Sequence, residues 1–170
     1  MRVKITGTGS YLPKLRVTNE DLSQIVDTSD EWIRSRTGIE ARHLCVSETT
    51  TGMSTEASEK ALKSAGITAE DVDIIIAATV SADKYLPGLA CEVQKNLGAG
   101  KAVAFDINAA CSGFLFALDT AAIYLEHNRW KHALVIGAET LSKMMDWTDR
   151  STCVLFGDGA GAAVLSSVEE

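Results

Sequence analysis

Hydrophobic positions along the chain follow two periods, one typical of helices and one typical of buried strands. A stripe at helical spacing runs from Met53 to Ala65 and ends at Gly66, whereas residues 74–80 are apolar on both faces, as in the interior of a parallel sheet. Similar patterns predict further strands at 3–6, 102–107 and 133–138 and further helices at 89–97 and 113–127. This alternation predicts right-handed βαβ units and an α/β fold.

Capping signals and glycine-rich segments complete the predicted outline. Residues 18–21 and 29–32 each predict the start of a short helix, the first of them ending at Val26. Residues 7–13 predict a turn, and residues 153–166 predict two strands joined by a tight hairpin at 157–161. The hairpin glycines match the spacing of a dinucleotide-binding loop, but a strand-like segment follows them, so we expect no cofactor there.

The composition is that of a folded protein, and its charge narrows the classes of partner. The chain has 170 residues, of which 46% are hydrophobic and 23% charged, and its formal net charge is −7. That sign disfavours nucleic acids and anionic membranes as partners. Residues 1–50 are balanced in charge, so the acidic excess lies entirely in residues 51–170, and an anionic ligand is expected near the N-terminus.

The four cysteines do not have the spacing of a zinc site or of a disulfide framework. Cys45, Cys91, Cys111 and Cys153 include no C-x-x-C pair, which predicts free thiols and no bound metal. No secretion signal opens the sequence, and the longest apolar run, near 109–118, is too short to span a bilayer. These features predict a cytoplasmic protein.

Cys111 differs from the other cysteines because it lies where a predicted strand ends and a long helix begins. The free N–H groups of a helix N-terminus stabilise a thiolate, and the small residues around Cys111 leave room for a substrate carbonyl. Ligands of open α/β sheets bind at this edge of the sheet. The helix is apolar nearly all round, which predicts a central, buried position. On position alone, Cys111 fits a nucleophile and a structural cysteine equally well.

The remaining cysteines and the histidines offer no complete catalytic pair. Cys91, on a predicted helix, and Cys153, on a predicted strand, are expected in the core, and nothing near Cys45 would activate it. The spacing places His127 and His132 out of reach of Cys111. Nothing around the third histidine, His43, recommends it as a base.

Residues 109–114, Ala-Ala-Cys-Ser-Gly-Phe, resemble the active-site segment of the thiolase-fold condensing enzymes. Four further passages agree in order with one family of these enzymes; they are residues 7–13, 27–33 continuing to 36–39, 149–150 and 156–162. Together they resemble β-ketoacyl-acyl-carrier-protein synthase III, which starts bacterial fatty-acid synthesis. The resemblance spans essentially the whole chain but only the N-terminal half of the family's chains.

The resemblance implies a fold and a reaction. Residues 1–170 would form an N-terminal thiolase-like domain with a mixed, mostly parallel sheet and a buried central helix that starts near Cys111. Cys111 would take an acyl group from acyl-CoA, and the acyl-enzyme would condense with malonyl-acyl carrier protein, with loss of CO₂. The backbone N–H of Cys111 would be one oxyanion donor, so that no metal or redox cofactor is implied. The full-length enzyme would be a homodimer.

The resemblance also implies a coenzyme A site in the N-terminal region. Trp32 and Arg150 would flank the adenine, Thr28 would form a hydrogen bond to it, and Arg36 would bind phosphate. Leu86 matches a position that reaches the acyl pocket of the partner in the family dimer. Taken singly, four of these residues also have simpler interpretations. Trp32 fits a core aromatic residue, the two arginines fit a solvated face, and Leu86 fits an exposed loop leucine.

The chain departs from the family pattern by its length. The family's second half supplies the catalytic His and Asn, the other oxyanion donor and much of the basic surface that docks the carrier protein. The isolated chain is therefore expected to show little condensation, and its charge of −7 would repel an acidic carrier protein. Two alternatives remain open: a related condensing enzyme of another pathway that uses a different acyl-CoA, and a non-catalytic assembly half with an inert thiol.

Overall fold

The computed structural model describes residues 2–128 and 130–168. In chain order the strands are β1 (Arg2–Tyr11), β2 (Leu15–Thr18), β3 (Ala41–Leu44), β4 (Ile74–Ala78), β5 (Val103–Ile107), β6 (His132–Thr140) and β7 (Asp158–Val168). The helices are α1 (Asn19–Leu22), α2 (Asp30–Thr37), α3 (Thr50–Ala65), α4 (Leu89–Leu97) and α5 (Gly113–Asn128). A further short helical turn, Ala110–Ser112, precedes α5.

Five strands form the central sheet, in the order β1-β7-β6-β4-β5. Strands β4, β5 and β6 are parallel, and β7 runs antiparallel to both of its neighbours, β6 and β1. Four of the five strands therefore point the same way. The α/β architecture with a mixed, mostly parallel sheet is confirmed.

Helices cover both faces of this sheet. Ile75 and Ala77 of β4 pack in one cluster with α3 and α4, whereas Ile74 and Ile76 pack in a second cluster with α5. The alternation follows from the two-residue period of a strand, and it explains why residues 74–78 are apolar on both faces. The carboxyl ends of β4, β5 and β6 meet at one edge, so the segments that follow them lie together.

A smaller module lies beside the central sheet. Strands β2 and β3 pair antiparallel, and α1 and α2 lie between them in the chain. This module has its own core, to which residues 147–154 also contribute; its buried members are Leu22, Ile33, Cys153 and Val154. The first helix of the module ends at Leu22 rather than at the predicted Val26, and the two short strands were not predicted.

Strand β1 is longer than predicted, because its glycines serve close packing rather than a turn. A Cβ added at Gly7 would lie 2.5 Å from the Ala65 nitrogen, and one at Gly9 would lie 2.5 Å from the Ala61 nitrogen. The backbone of α3 thus rests directly on β1, and only glycine allows that approach. The predicted turn at residues 7–13 is wrong, since the strand continues to Tyr11.

The predicted hairpin at 157–161 is also wrong. Residues 158–168 form one continuous strand, β7, and Cys153 lies in a turn before it rather than on a strand. Gly161 pairs with Ser10 of β1 on one side and with Gly137 of β6 on the other. Gly161 therefore sits inside the sheet, where two flanking strands hold the chain extended.

Helix α5 is buried on one face only. Ala117, Ala121 and Leu125 are fully buried against the sheet. Leu115, Phe116 and Ile123 are 66%, 55% and 47% exposed, so the prediction of burial on all sides holds for the sheet-facing side alone. None of the helices in residues 2–128 and 130–168 is both long and apolar enough to cross a membrane.

Candidate active site

The turn that carries Cys111 connects the carboxyl end of β5 to α5. The N–H groups of Ser112 and Gly113 donate to the carbonyls of Ala109 and Ala110, which closes a tight turn around Cys111. Ala110 has a φ of 45°, a left-handed conformation that costs an L-residue roughly 1–2 kcal/mol. This sharp turn lifts Cys111 out of the sheet and leaves it exposed.

Two glycines set the start of α5 close to the sheet. A Cβ added at Gly113 would lie 3.2 Å from the Ala78 Cβ at the end of β4. One added at Gly137 in β6 would lie 3.0 Å from the ring of Phe114. The first turn of α5 is therefore held by β4 and β6 together, which fixes the position of the preceding Cys111.

The other three cysteines are less accessible than Cys111. Cys153 is fully buried, and Cys45 and Cys91 are half-buried. Burial raises the pKa of the Cys45 thiol to about 12, helped by the neighbouring Asp158 carboxylate. Burial also raises the pKa of Cys153, with a smaller contribution from Asp149. The expected core position of Cys153 is confirmed.

Thiol labelling of the native protein is expected to start at Cys111. With a pKa of about 12, Cys45 is a thiolate in only roughly one molecule in ten thousand at pH 8, and Cys153 is closed to reagents. Brief treatment with iodoacetamide followed by peptide mass mapping measures the order. First labelling at Cys45 or Cys153 would contradict the described geometry.

A cavity of about 580 Å³ opens at the same edge of the sheet. Its lining comes from three segments, and Cys111 is not part of it. The lining residues are 79–85 after β4, Asp106 and Asn108 on β5 and its turn, and Thr140, Lys143 and Met144 at and beyond the end of β6. The Glu139 carboxylate accepts hydrogen bonds from the Val80 N–H, at 2.9 Å, and from the Ser81 hydroxyl. These bonds hold the start of the loop 79–88 against β6.

The other end of this loop is held by Asp106. Its two carboxylate oxygens accept hydrogen bonds from the N–H groups of Leu89 and Ala90, each at 2.7 Å. Gly88, the N-cap of α4, has no side chain for this role, and a Cβ there would lie 2.7 Å from an Asp106 oxygen. Between the two anchored ends, Leu86 projects into solvent and is 86% exposed.

Three of the predicted coenzyme A residues lie together on the smaller module. The guanidinium carbons of Arg36 and Arg150 are 4.5 Å and 4.9 Å from the centre of the Trp32 ring. Arg150 also donates to the Asp27 carbonyl at 3.0 Å. We refer to Trp32, Arg36 and Arg150 as the Trp32 cluster, which is a compact cationic and aromatic surface suited to a purine and a phosphate.

The Trp32 cluster is closed in this structure. A base stacked between two planar groups needs about 7 Å between them, and Arg150 is 4.9 Å from the Trp32 ring. An adenine between these residues therefore requires the Arg150 side chain to move away from the Trp32 ring. The Thr28 hydroxyl is buried without a hydrogen-bond partner, so it also becomes available only after a rearrangement.

Comparison with known proteins decides the family. The family model described as 3-oxoacyl-[acyl-carrier-protein (ACP)] synthase III matches residues 105–170. Beta-ketoacyl-[acyl-carrier-protein] synthase III of Clostridium acetobutylicum is 53% identical over 168 residues, which are 99% of this chain and 52% of that protein. The relative of the same name in Clostridium perfringens strain SM101 is 56% identical over 167 residues, again 52% of its length.

This chain belongs to the β-ketoacyl-[acyl-carrier-protein] synthase III family. The crystal structure of the Aquifex aeolicus 3-oxoacyl-[acyl-carrier-protein] synthase III superposes with a TM-score of 0.97 at 54% identity, over 99% of this chain and 55% of that one. A priming β-ketosynthase from the R1128 polyketide pathway gives a TM-score of 0.95 at 37% identity, over 99% and 51%. The thiolase-like fold is thereby confirmed, and the chain spans about half the length of the curated relatives it matches.

Five of the six predicted site residues fall in three places, and the sixth, Thr28, precedes α2 and has a buried hydroxyl. Trp32, Arg36 and Arg150 form one cluster, Cys111 lies on the β5–α5 turn, and Leu86 lies on the exposed loop. None of the hydrogen bonds or cation–π contacts in residues 2–128 and 130–168 joins the cluster to Cys111 or to Leu86. The roles of these residues therefore stay predictions.

The sequence analysis missed the carboxylates that shape the edge of the sheet where β4, β5 and β6 end. Asp106 and Glu139 hold the two ends of the loop 79–88, and Asp158 accepts hydrogen bonds from the Cys45 N–H and from Ser142. Each acid lies within two residues of the end of a largely apolar strand, which indicates a polar partner there but not which one. Among the described residues, no three His, Cys, Asp or Glu side chains form a group able to hold a metal ion.

Proposed function

We propose that this chain is the acyl-accepting part of a condensing enzyme that uses acyl-CoA. The exposure of Cys111 on the strained turn between β5 and α5 carries the proposal, because it presents a thiol at the edge where α/β sheets bind ligands. The Cys111 thiolate adds to the thioester carbonyl, coenzyme A leaves as its thiolate, and the acyl group stays on the Cys111 sulfur. The Cys111 N–H would donate to the oxyanion.

The Trp32 cluster supports coenzyme A as the acyl donor. An indole and two guanidinium groups provide stacking surfaces for adenine and donors for phosphate. Trp32 and Arg36 also lie in residues 1–50, which carry none of the acidic excess. In this proposal Arg150 leaves the Trp32 ring as adenine enters, Thr28 then reaches the base, and Arg36 binds a phosphate. No metal or redox group takes part.

The second half-reaction is proposed to need residues outside this chain. Malonyl-acyl carrier protein would lose CO₂, its carbanion would attack the acyl–Cys111 thioester, and the Cys111 thiolate would leave, which yields a 3-oxoacyl product and starts fatty-acid synthesis. The His and Asn of the family's second half would promote decarboxylation. Incubating the chain with acetyl-CoA and malonyl-acyl carrier protein is expected to give little 3-oxoacyl product; rapid product formation would refute the requirement.

Homodimer formation is proposed through the β5 side of the molecule. Among the described strands, β5 is one of the two edge strands of the central sheet, and its residue Val103 is 44% exposed. The exposed residues of α5, Leu115, Phe116 and Ile123, supply the apolar area that a stable interface needs. Leu86 projects from the neighbouring loop and would reach the acyl pocket of the partner.

Acylation rates with two donors test the proposed coenzyme A site. Acetyl-CoA and acetyl-pantetheine carry the same thioester, but only the first has the adenine nucleotide. Acylation of Cys111, followed by intact mass, is expected to be at least about fivefold faster with low concentrations of acetyl-CoA, since stacking contributes about 1–3 kcal/mol per base. Equal rates would show that the Trp32 cluster does not bind the donor.

A related condensing enzyme of another pathway is the second candidate. The similarity to a priming β-ketosynthase of a polyketide pathway favours it, because that enzyme has the same fold at 37% identity. Competition between acyl-CoA thioesters of different chain length separates the two candidates, since a primer longer than acetyl would favour the second candidate.

A non-catalytic assembly half is the third candidate function. It requires that Cys111 stay unacylated when the second half of the family's chain is supplied.

A further inference from the structure

Arg42 is a buried cation at the centre of the smaller module. It lies on β3 and is 5% exposed. Its Nη2 donates to the Asn19 Oδ1 at 2.9 Å and to the Val154 carbonyl at 3.1 Å, and its Nη1 donates to the Val17 carbonyl at 3.3 Å. A single guanidinium therefore ties together β2, the start of α1 and a segment 112 residues further along the chain.

Asn19 extends this set of bonds to the helix that carries Trp32. The Asn19 amide nitrogen donates to the Asp30 Oδ1 at 2.8 Å and to the Ile39 carbonyl at 2.7 Å. Asp30 is the first residue of α2, and Ile39 follows the end of that helix. Arg42 and Asn19 together thus bond to both ends of α2.

Val154 provides the connection to Arg150. It lies in the turn that contains Arg150, where the N–H of Cys153 donates to the Asp149 carbonyl at 3.0 Å. Arg42 consequently bonds on one side, through Asn19, to the helix of Trp32 and Arg36, and on the other side to the turn of Arg150. These are the two separate pieces of the chain that form the Trp32 cluster.

The energetics of Arg42 are unfavourable for a residue that serves stability alone. Burial lowers the pKa of its guanidinium. Its Nε is buried without a hydrogen-bond partner, and none of the ion pairs in the described residues includes Arg42. The desolvation cost of this buried cation is offset by the hydrogen bonds of its planar fork, and those same bonds connect β2, Asn19 and the turn that contains Val154.

We propose that Arg42 is a positioning residue that, with Asn19, holds α2 against the turn of residues 149–155 so that Trp32 and Arg150 face each other. Its link to coenzyme A rests on the proposed function, whereas its effect on the Trp32–Arg150 contact does not. Without the guanidinium, α2 and the turn keep their own folds but lose their fixed separation. The Trp32 cluster would then be present but incorrectly spaced for its ligand.

Fluorine NMR of fluorotryptophan-labelled protein tests the ligand-free part of this proposal. The three tryptophans give three resonances, and Trp32→Phe identifies that of Trp32. Arg150→Ala is expected to shift this resonance in the otherwise unchanged protein, because the guanidinium leaves the ring. In an Arg42→Met background the same substitution is expected to shift it several-fold less. An equal shift in both backgrounds would overturn the proposal.

Two further variants keep the test decisive. Arg16→Met makes the same change at an exposed arginine of β2 and is expected to leave the coupling intact. Where Arg42→Met does not fold, as judged by circular dichroism, Arg42→Lys replaces it, since an ammonium keeps the charge but cannot donate as a planar fork to both Asn19 and Val154. Coupling that survives in Arg42→Lys would overturn the role of the fork.

Coenzyme A binding provides the second measurement. Calorimetric titration is expected to give a dissociation constant about tenfold higher for Arg42→Met than for Arg16→Met, with alkylation of Cys111 unchanged in both. Equal dissociation constants would overturn the positioning role. Failure of the unsubstituted protein to bind coenzyme A would count against the proposed function, while the fluorine result would still decide the role of Arg42.

Discussion

Replacing Gly9 by alanine is expected to lower the free energy of unfolding by about 3 kcal/mol or more. The added Cβ would lie 2.5 Å from the Ala61 nitrogen and closer still to the Ala57 carbonyl oxygen, and both atoms belong to the rigid backbone of α3. The helix must move off β1, which opens the largest core cluster along the whole helix. For a chain of this length the loss corresponds to a fall in Tm of roughly 6–12 °C.

Gly161→Ala is the matched control for this change. Gly161 lies on β7 and pairs with Ser10, the residue next to Gly9, but nothing lies within 4 Å of a Cβ added there. Alanine at residue 161 is expected to leave stability unchanged or to raise it slightly, because the unfolded chain loses conformational freedom. Urea denaturation of both variants gives the comparison. Equal stability of the two would contradict direct packing of α3 on β1.

Replacing Trp32 by alanine is expected to raise the dissociation constant for coenzyme A roughly 5- to 150-fold, the range that corresponds to losing one base stack. The indole is the surface against which both Arg36 and Arg150 lie, so its removal also frees the two guanidinium groups. The loss is therefore expected towards the upper part of that range. Calorimetric titration with coenzyme A measures it.

Trp130→Phe is the control for the loss of a tryptophan. Trp130 stacks on Tyr124 of α5, with ring centres 5.9 Å apart, and belongs to the core cluster on the α5 face. This variant is expected to bind coenzyme A as the unsubstituted protein does. If Trp32→Ala binds as tightly as Trp130→Phe, the Trp32 cluster is not the nucleotide site.

The sequence predicted best those elements whose signals are local. Helix α4 has the predicted bounds, because Gly98 adopts the left-handed φ of 76° that ends a helix. Strand β4 was predicted over residues 74–80 from their apolar pattern; it spans residues 74–78 and is buried throughout. The turn at Cys111 was also predicted, since small residues between a strand and a helix leave few other conformations.

The glycine-rich segments were misinterpreted because their cause is not local. Gly9 and Gly161 occur in stretches whose composition is that of a turn, yet both lie in strands of the central sheet. What requires Gly9 is the backbone of α3, about 50 residues further along the chain, and no pattern within residues 7–13 contains that information. Tertiary packing overrides the local preference in such cases.

The site was predicted in part for the same reason. The resemblance identified Trp32, Arg36 and Arg150 as one group, and the structure brings them together. It did not identify Arg42 or Asp106, whose partners are distant in sequence and are chosen by the fold. A buried arginine on a short strand signals a polar partner, but only the structure shows that the partners are Asn19 and two carbonyl groups.

Intact mass after incubation with acetyl-CoA tests the central claim most directly. The unsubstituted chain is expected to gain one acetyl group, and Cys111→Ala is expected to gain none, although Cys45, Cys91 and Cys153 remain. That pair of results would show that the nucleophile and the donor site both lie within these residues. An adduct of the same size on Cys111→Ala, or no adduct on the unsubstituted chain even with the second half supplied, would contradict Cys111 as the acyl acceptor.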